Sequence, residues 1–257
     1  MFESYDKTKV QRVETDEPEK EPELMFDAKN EVTEEDKKAM RQKLDLYRKN
    51  NSWYQFARLA NSMKDLDPSS DPGITGYEGD AMRQTLDSLR KNNDWYNFAF
   101  LANSMKDLDP SSDPGITEGD MDAMRQELDP YRKNNSWYHF ARRANSMKDL
   151  DPSFDPGITG DEGDAMRQEF ESCRKNSAWY DFAFLANSMK DLDPNFDPGI
   201  TEGDMDAMRQ TLDSLRKNND WYNFALLASE MDRLAHRLAP PRTQEKQTPP
   251  FPATRRF

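Results

Sequence analysis

The chain has 257 residues, of which 36 are basic and 49 acidic, and a formal net charge of −13. That balance argues against a general nucleic-acid binder. The single cysteine, Cys173, excludes an intrachain disulfide and a cysteine-built zinc cluster, and no apolar run approaches membrane-spanning length.

Residues 1–31 form an acidic stretch interrupted by Pro18 and Pro22. It lacks the apolar centre of a secretory signal and reads as a disordered arm. From residue 32 to residue 239 the chain is a tandem repeat. Trp53, Trp95, Trp137, Trp179 and Trp221 are spaced 42 residues apart with no insertion between them, and a fixed period of that size marks a repeat architecture. Residues 240–257 are proline-rich and basic and read as an extended tail.

Each repeat contains two helical patterns. The first opens at a threonine and places Met82, Leu86 and Leu89 on one stripe. Its start has the form of a capping box in every unit: Thr33 with Asp36, Thr75 with Glu78, Thr117 with Asp120, Thr159 with Glu162, and Thr201 with Asp204. Arg-Lys closes this helix, where positive charge suits the macrodipole. The second helix begins after an N-cap at Ser52, Asp94, Ser136 or Asp220, with Ala178 the weak exception. Trp95, Phe98, Ala102, Met105 and Leu108 form its buried stripe, and Pro110 ends it. Cys173 takes the place of Tyr47, Leu89, Tyr131 and Leu215 and is expected on the core side. The prediction is an all-α, elongated αα-hairpin solenoid of five 42-residue units. Its last helix, where SEMDRLAHRL replaces the usual NSMKDLDP, is expected to cap the free end.

Four loops join the hairpins. They read DPSSDPGITGYE, DPSSDPGITEGD, DPSFDPGITGDE and DPNFDPGITEGD. These resemble the twelve-residue calcium loop of the EF-hand family. The resemblance implies Ca²⁺ held by Asp67, Ser69, Asp71 and Glu78; by Asp109, Ser111, Asp113 and Asp120; by Asp151, Ser153, Asp155 and Glu162; and by Asp193, Asn195, Asp197 and Asp204. The loops depart from the family at position six, where Pro72, Pro114, Pro156 and Pro198 stand in place of glycine. The same letters also spell Asp-Pro as a helix stop, Asp-Pro-Gly as a turn and Thr as the next cap, which is the preferred reading. The 42-residue period and the run Leu59–Lys64 are similar to the αα repeats of SKWP-type effectors, which bacteria inject into plant cells. That resemblance implies an effector delivered without a Sec signal, although Lys64-Asp65-Leu66-Asp67-Pro68 stands where the Ser-Lys-Trp-Pro signature would be.

No catalytic constellation is evident. His139 and His236 have no repeated partners, and there is no phosphate loop or metalloprotease motif. The expectation is a soluble, non-enzymatic repeat protein presenting an extended surface to a protein partner, in the cytoplasm or inside a host cell. The alternative is a calcium-binding protein. The partner surface is placed at the variable positions Arg58, Phe100, Arg142 and Phe184, read as exposed. A basic edge containing Arg132 and Lys133 is a second candidate, set opposite an edge carrying the acidic loops.

Overall fold

In the computed structural model, residues 31–69, 72 and 74–238 are described. The two tails fall outside them, except for Glu31. Ten helices are present and no strand occurs among the described residues. They are α1 (Glu34–Lys49), α2 (Trp53–Leu66), α3 (Gly76–Lys91), α4 (Trp95–Leu108), α5 (Glu118–Lys133), α6 (Trp137–Leu150), α7 (Gly160–Lys175), α8 (Trp179–Leu192), α9 (Glu202–Lys217) and α10 (Trp221–Leu238). They pair into five hairpins, as the repeat predicts.

The local signals explain the boundaries. All five capping boxes form, and the aspartate versions close as fully as the glutamate ones. In α5 and α9 the threonine hydroxyl also donates to Asp120 and Asp204, at 2.9 Å in each case. Asp94 and Asp220 cap α4 and α10. Ser52 and Ser136, expected to do the same, make no such bond. Asp94 caps its helix at the same ψ, 67° against 65° and 68°, so the difference lies in the shorter side chain, which does not reach the amide that aspartate reaches. The residue before each N-cap (Asn51, Asn93, Asn135, Ser177 or Asn219) holds φ between 52° and 56°, a left-handed conformation that asparagine tolerates best among non-glycine residues.

Each hairpin packs its own slice of core. Phe56, Phe98, Phe140, Phe182 and Phe224 are fully buried, and each meets the tryptophan three residues before it edge to face, with centroids 5.4 to 5.8 Å apart. Met40, Met82, Met124, Met166 and Met208 press in from the odd-numbered helices. Cys173 is half-buried against this core, and burial pushes its thiol up to about 11.

The elongated rod is not what forms. Helix α10 packs against α2 and α1 as closely as neighbouring units pack elsewhere, so the array closes into a ring. The even-numbered helices stand side by side around the axis, with the odd-numbered helices outside them. The divergent end of α10 is therefore no free cap. Ser229 donates to Asp65 at 2.8 Å, Tyr47 meets Tyr222 edge to face, and Arg209 pairs with Glu31 at 3.0 Å, all across the join between the fifth unit and the first.

One joint recurs five times. The arginine near the end of each outer helix lays its guanidinium over its own unit's buried phenylalanine, 4.8 to 5.1 Å from the centroid. It then pairs with the capping carboxylate of the following unit: Arg48 with Glu78, Arg90 with Asp120, Arg132 with Glu162, Arg174 with Asp204, and Arg216 with Asp36. The last of these pairs closes the ring. This overturns the opposed basic and acidic edges. After α2, Asp67 lies beside Lys37 near the start of α1, at 3.3 Å, and Pro72 accepts a bond of 2.9 Å from Arg48 near its end. The basic end of one outer helix thus meets the acidic start of the next. Arg132 is part of this joint rather than a free docking surface, while Lys133 stays exposed.

Candidate functional site

The inner helices face the axis with one stripe each, and equal periods stack the stripes into layers. Along α2 the positions are Tyr54, Arg58, Asn61, Ser62 and Asp65, at i, i+4, i+7, i+8 and i+11. The first layer is tyrosine in all five units.

The second layer is Arg58, Phe100, Arg142, Phe184 and Leu226. These residues were expected on an exposed outer face. Instead they converge on the axis, where Leu226 is buried and the other four are half-buried. Arg58 lies 5.4 Å from the Phe100 centroid and within 5.8 Å of Tyr180 and Tyr222, and it donates to the Tyr180 hydroxyl across the ring. Arg142 sits 4.6 Å from Tyr96 and 5.1 Å from Phe184. The axis is therefore plugged by stacked cations and rings.

Above the plug the wall turns polar. Side-chain bonds run from unit to unit: Asn61 to Asp107, Asn103 to the Ser146 carbonyl, Asn145 to Asp191, Asn187 to Glu230, and Ser229 to Asp65. The mouth is a ring of Asp65, Asp107, Asp149 and Asp191, with Arg233 in the fifth place. Asp65, Asp107 and Asp149 touch solvent through the mouth. The surrounding walls still crowd them enough to raise each carboxyl. Asp149 is pushed up to about 6, first by desolvation and then by Asp191 and Asp107. Plug, wall and mouth enclose a funnel of about 480 Å³.

The calcium-loop residues are placed differently. Asp67, Asp109, Asp151 and Asp193 each accept the amide two residues on, and the Ser69, Ser111 and Ser153 hydroxyls donate to the same oxygens. Asp113, Asp155 and Asp197 accept the amides of Gly115, Gly157 and Gly199, whose φ values of 66°, 62° and 53° make the turn. Glu78, Asp120, Glu162 and Asp204 face the caps and arginines described above. Asp71 lies outside the described residues. Among the described residues, no three acidic, histidine or cysteine side chains form a group that could hold a metal.

Sequence reasoning missed the aspartate ring, since a lone aspartate per unit reads as solvated surface. The signal was its place seven residues after position 58, on the same stripe. It also missed Arg143, a buried cation where other units have leucine. Arg143 is paired with Glu127, which replaces a threonine or lysine on the preceding helix in three of the five units.

Fold and site together define a closed five-hairpin helical ring with an axial funnel. No family model matches the chain, and no curated protein or solved structure matches it either. Among the described residues, no helix is long and apolar enough to cross a membrane.

Proposed function

We propose that this protein is a non-catalytic binding ring that takes a small polar molecule into its axial funnel. One observation carries the reading. Polar atoms that find no hydrogen-bond partner among the described residues gather around the axis: Arg58 Nε, Arg142 Nε and Nη2, Asn61 Oδ1, Ser104 Oγ and Asn145 Oδ1. Buried polar groups in folded proteins are almost always paired, so a cluster of unpaired ones lining one cavity suits a molecule that pairs with them. The variable residues that suggested a protein-binding face line this same cavity, at a depth that suits a small ligand better than a folded surface.

The test is a thermal-shift and calorimetric screen with amino acids, sugars, mononucleotides and polyamines, repeated on Ser104→Val and Asn145→Leu. A ligand that raises Tm in the unaltered protein, and less in both variants, supports the reading. If no probe binds below about 1 mM, which is only ~4 kcal/mol, the funnel is a structural cavity.

A further inference from the structure

Arg58 and Arg142, both half-buried, differ from the arginines of the joints and from the buried Arg143. No acidic side chain among the described residues lies within ion-pair distance of either; their partners are the Tyr180, Tyr222 and Tyr138 hydroxyls and aromatic faces. Rings satisfy the faces of a guanidinium but not its N–H edges, and Nε of both and Nη2 of Arg142 remain unpaired. Burying the N–H edge of a charged group without a partner is costly. A guanidinium edge carries donors only, in a planar fork that fits a carboxylate.

The opposite sign predominates above, where the carboxylates Asp65, Asp107, Asp149 and Glu230 outnumber Lys106 and Arg233. Asp65, Asp107 and Asp149 lie seven residues further along their helices, a rise of about 10 Å. A simple anion would suit the floor but be repelled at the mouth, whereas a simple cation would leave the arginines uncompensated. Between the two levels Ser104, 1% exposed, and Asn145, 8% exposed, each hold an unpaired oxygen on the funnel wall.

We infer that the funnel binds an elongated zwitterion, its carboxylate on Arg58 and Arg142 and its ammonium among Asp65, Asp107 and Asp149, the two charges about 10 Å apart. This rests on the reading of the funnel as a binding site. It names a ligand class, linear molecules with an acid at one end and an amine at the other, and a length.

The experiment is calorimetry of the unaltered protein against linear ω-amino acids of graded length, with octanoate and octylamine as single-charge controls. Binding should peak near 8-aminooctanoate, and each control should bind at least about tenfold weaker, or ~1.4 kcal/mol. Arg142→Gln should weaken 8-aminooctanoate and octanoate together while leaving octylamine unchanged. Asp107→Asn should weaken 8-aminooctanoate and octylamine but not octanoate. Because the length series needs no variant, a misfolded substitution does not remove the test. If octanoate or octylamine matches 8-aminooctanoate, or length has no optimum, the zwitterion assignment is overturned. If no ω-amino acid binds but another molecule from the screen does, the zwitterion falls and the binding reading stands. If nothing binds, both fall.

Discussion

Replacing Arg216 with alanine asks whether the ring is closed. In the structure this arginine gives Asp36 two bonds of 2.9 Å, gives the Glu31 carbonyl one of 3.0 Å, and covers Phe224 at 5.1 Å. The Asp36 side chain is 3% exposed and that of Arg216 33%. After truncation Asp36 keeps its bond from the Thr33 amide and loses its counter-charge. A charge-assisted bond contributes roughly 1.5–3 kcal/mol, and breaking a fully buried pair costs about 3–5 kcal/mol. Since a third of the arginine faces water, which screens the pair, about 2–3 kcal/mol is expected. Arg90→Ala removes the same joint inside the array, with bonds of 2.8 and 3.0 Å to Asp120 and 2.9 Å to the Gly115 carbonyl. Urea titration should show both midpoints falling by similar amounts at unchanged slope. In an open array Arg216 would be a surface residue, worth about 0–1 kcal/mol. A loss of that size at Arg216, beside a loss of about 2–3 kcal/mol at Arg90, would refute closure.

Trp137→Ala and Trp221→Ala should each cost about 3–5 kcal/mol, with no large advantage to the central unit, because every unit of a ring has two neighbours. Paired thermal melts would show this, and a much smaller loss at Trp221 would count against it. Ser136→Asp and Ala178→Asp should each stabilise by about 1 kcal/mol by supplying the cap that Asp94 already makes at the same backbone angles; unchanged melting would mean that side-chain reach does not limit this cap. The joints and the funnel should respond oppositely to pH. Burial alone would raise the Asp36, Glu78 and Asp120 carboxyls, but their arginine and threonine bonds hold them below the usual range. The stability they confer is thus present above the unfolded value near 4 and lost as pH falls through the folded values. Asp149, facing Asp107, Asp191, Arg233 and Arg237, is raised, so the folded state holds its proton more tightly and stability from this group declines as pH rises from about 4 to about 6. Asp149→Asn should therefore stabilise the ring at pH 7 and have little effect at pH 4, and equal effects at both would contradict the shift. Calcium titration should give no saturable heat at micromolar concentrations, since Glu78, Asp120, Glu162 and Asp204 are already engaged by arginine; a stoichiometry of four would overturn the turn reading.

Helix boundaries, capping boxes and the core stripe are local properties, and residues such as Thr75, Phe98 and Pro110 display them within a few positions of themselves. Closure is different. It depends on a small curvature accumulated over five joints, and no single residue encodes it; Arg216 looks the same as Arg90 until Asp36 is found beside it. Everything placed by closure was therefore misread. Arg58, Phe100, Arg142 and Phe184 read as an outward face because periodicity fixes which stripe a residue occupies, not what that stripe faces. The aspartates at 65, 107, 149 and 191 were hidden for the same reason.

Closure also bears on how such a gene can change. Tandem DNA repeats gain and lose copies readily by misaligned recombination, and an open array accepts an extra copy at either end with its contacts intact. A ring of five cannot. A sixth hairpin would have to part Arg216 from Asp36 and Ser229 from Asp65, and the wider circle would no longer bring Arg58 onto Tyr180. Copy number, ordinarily the most labile property of a repeat sequence, is here held by the geometry of the join.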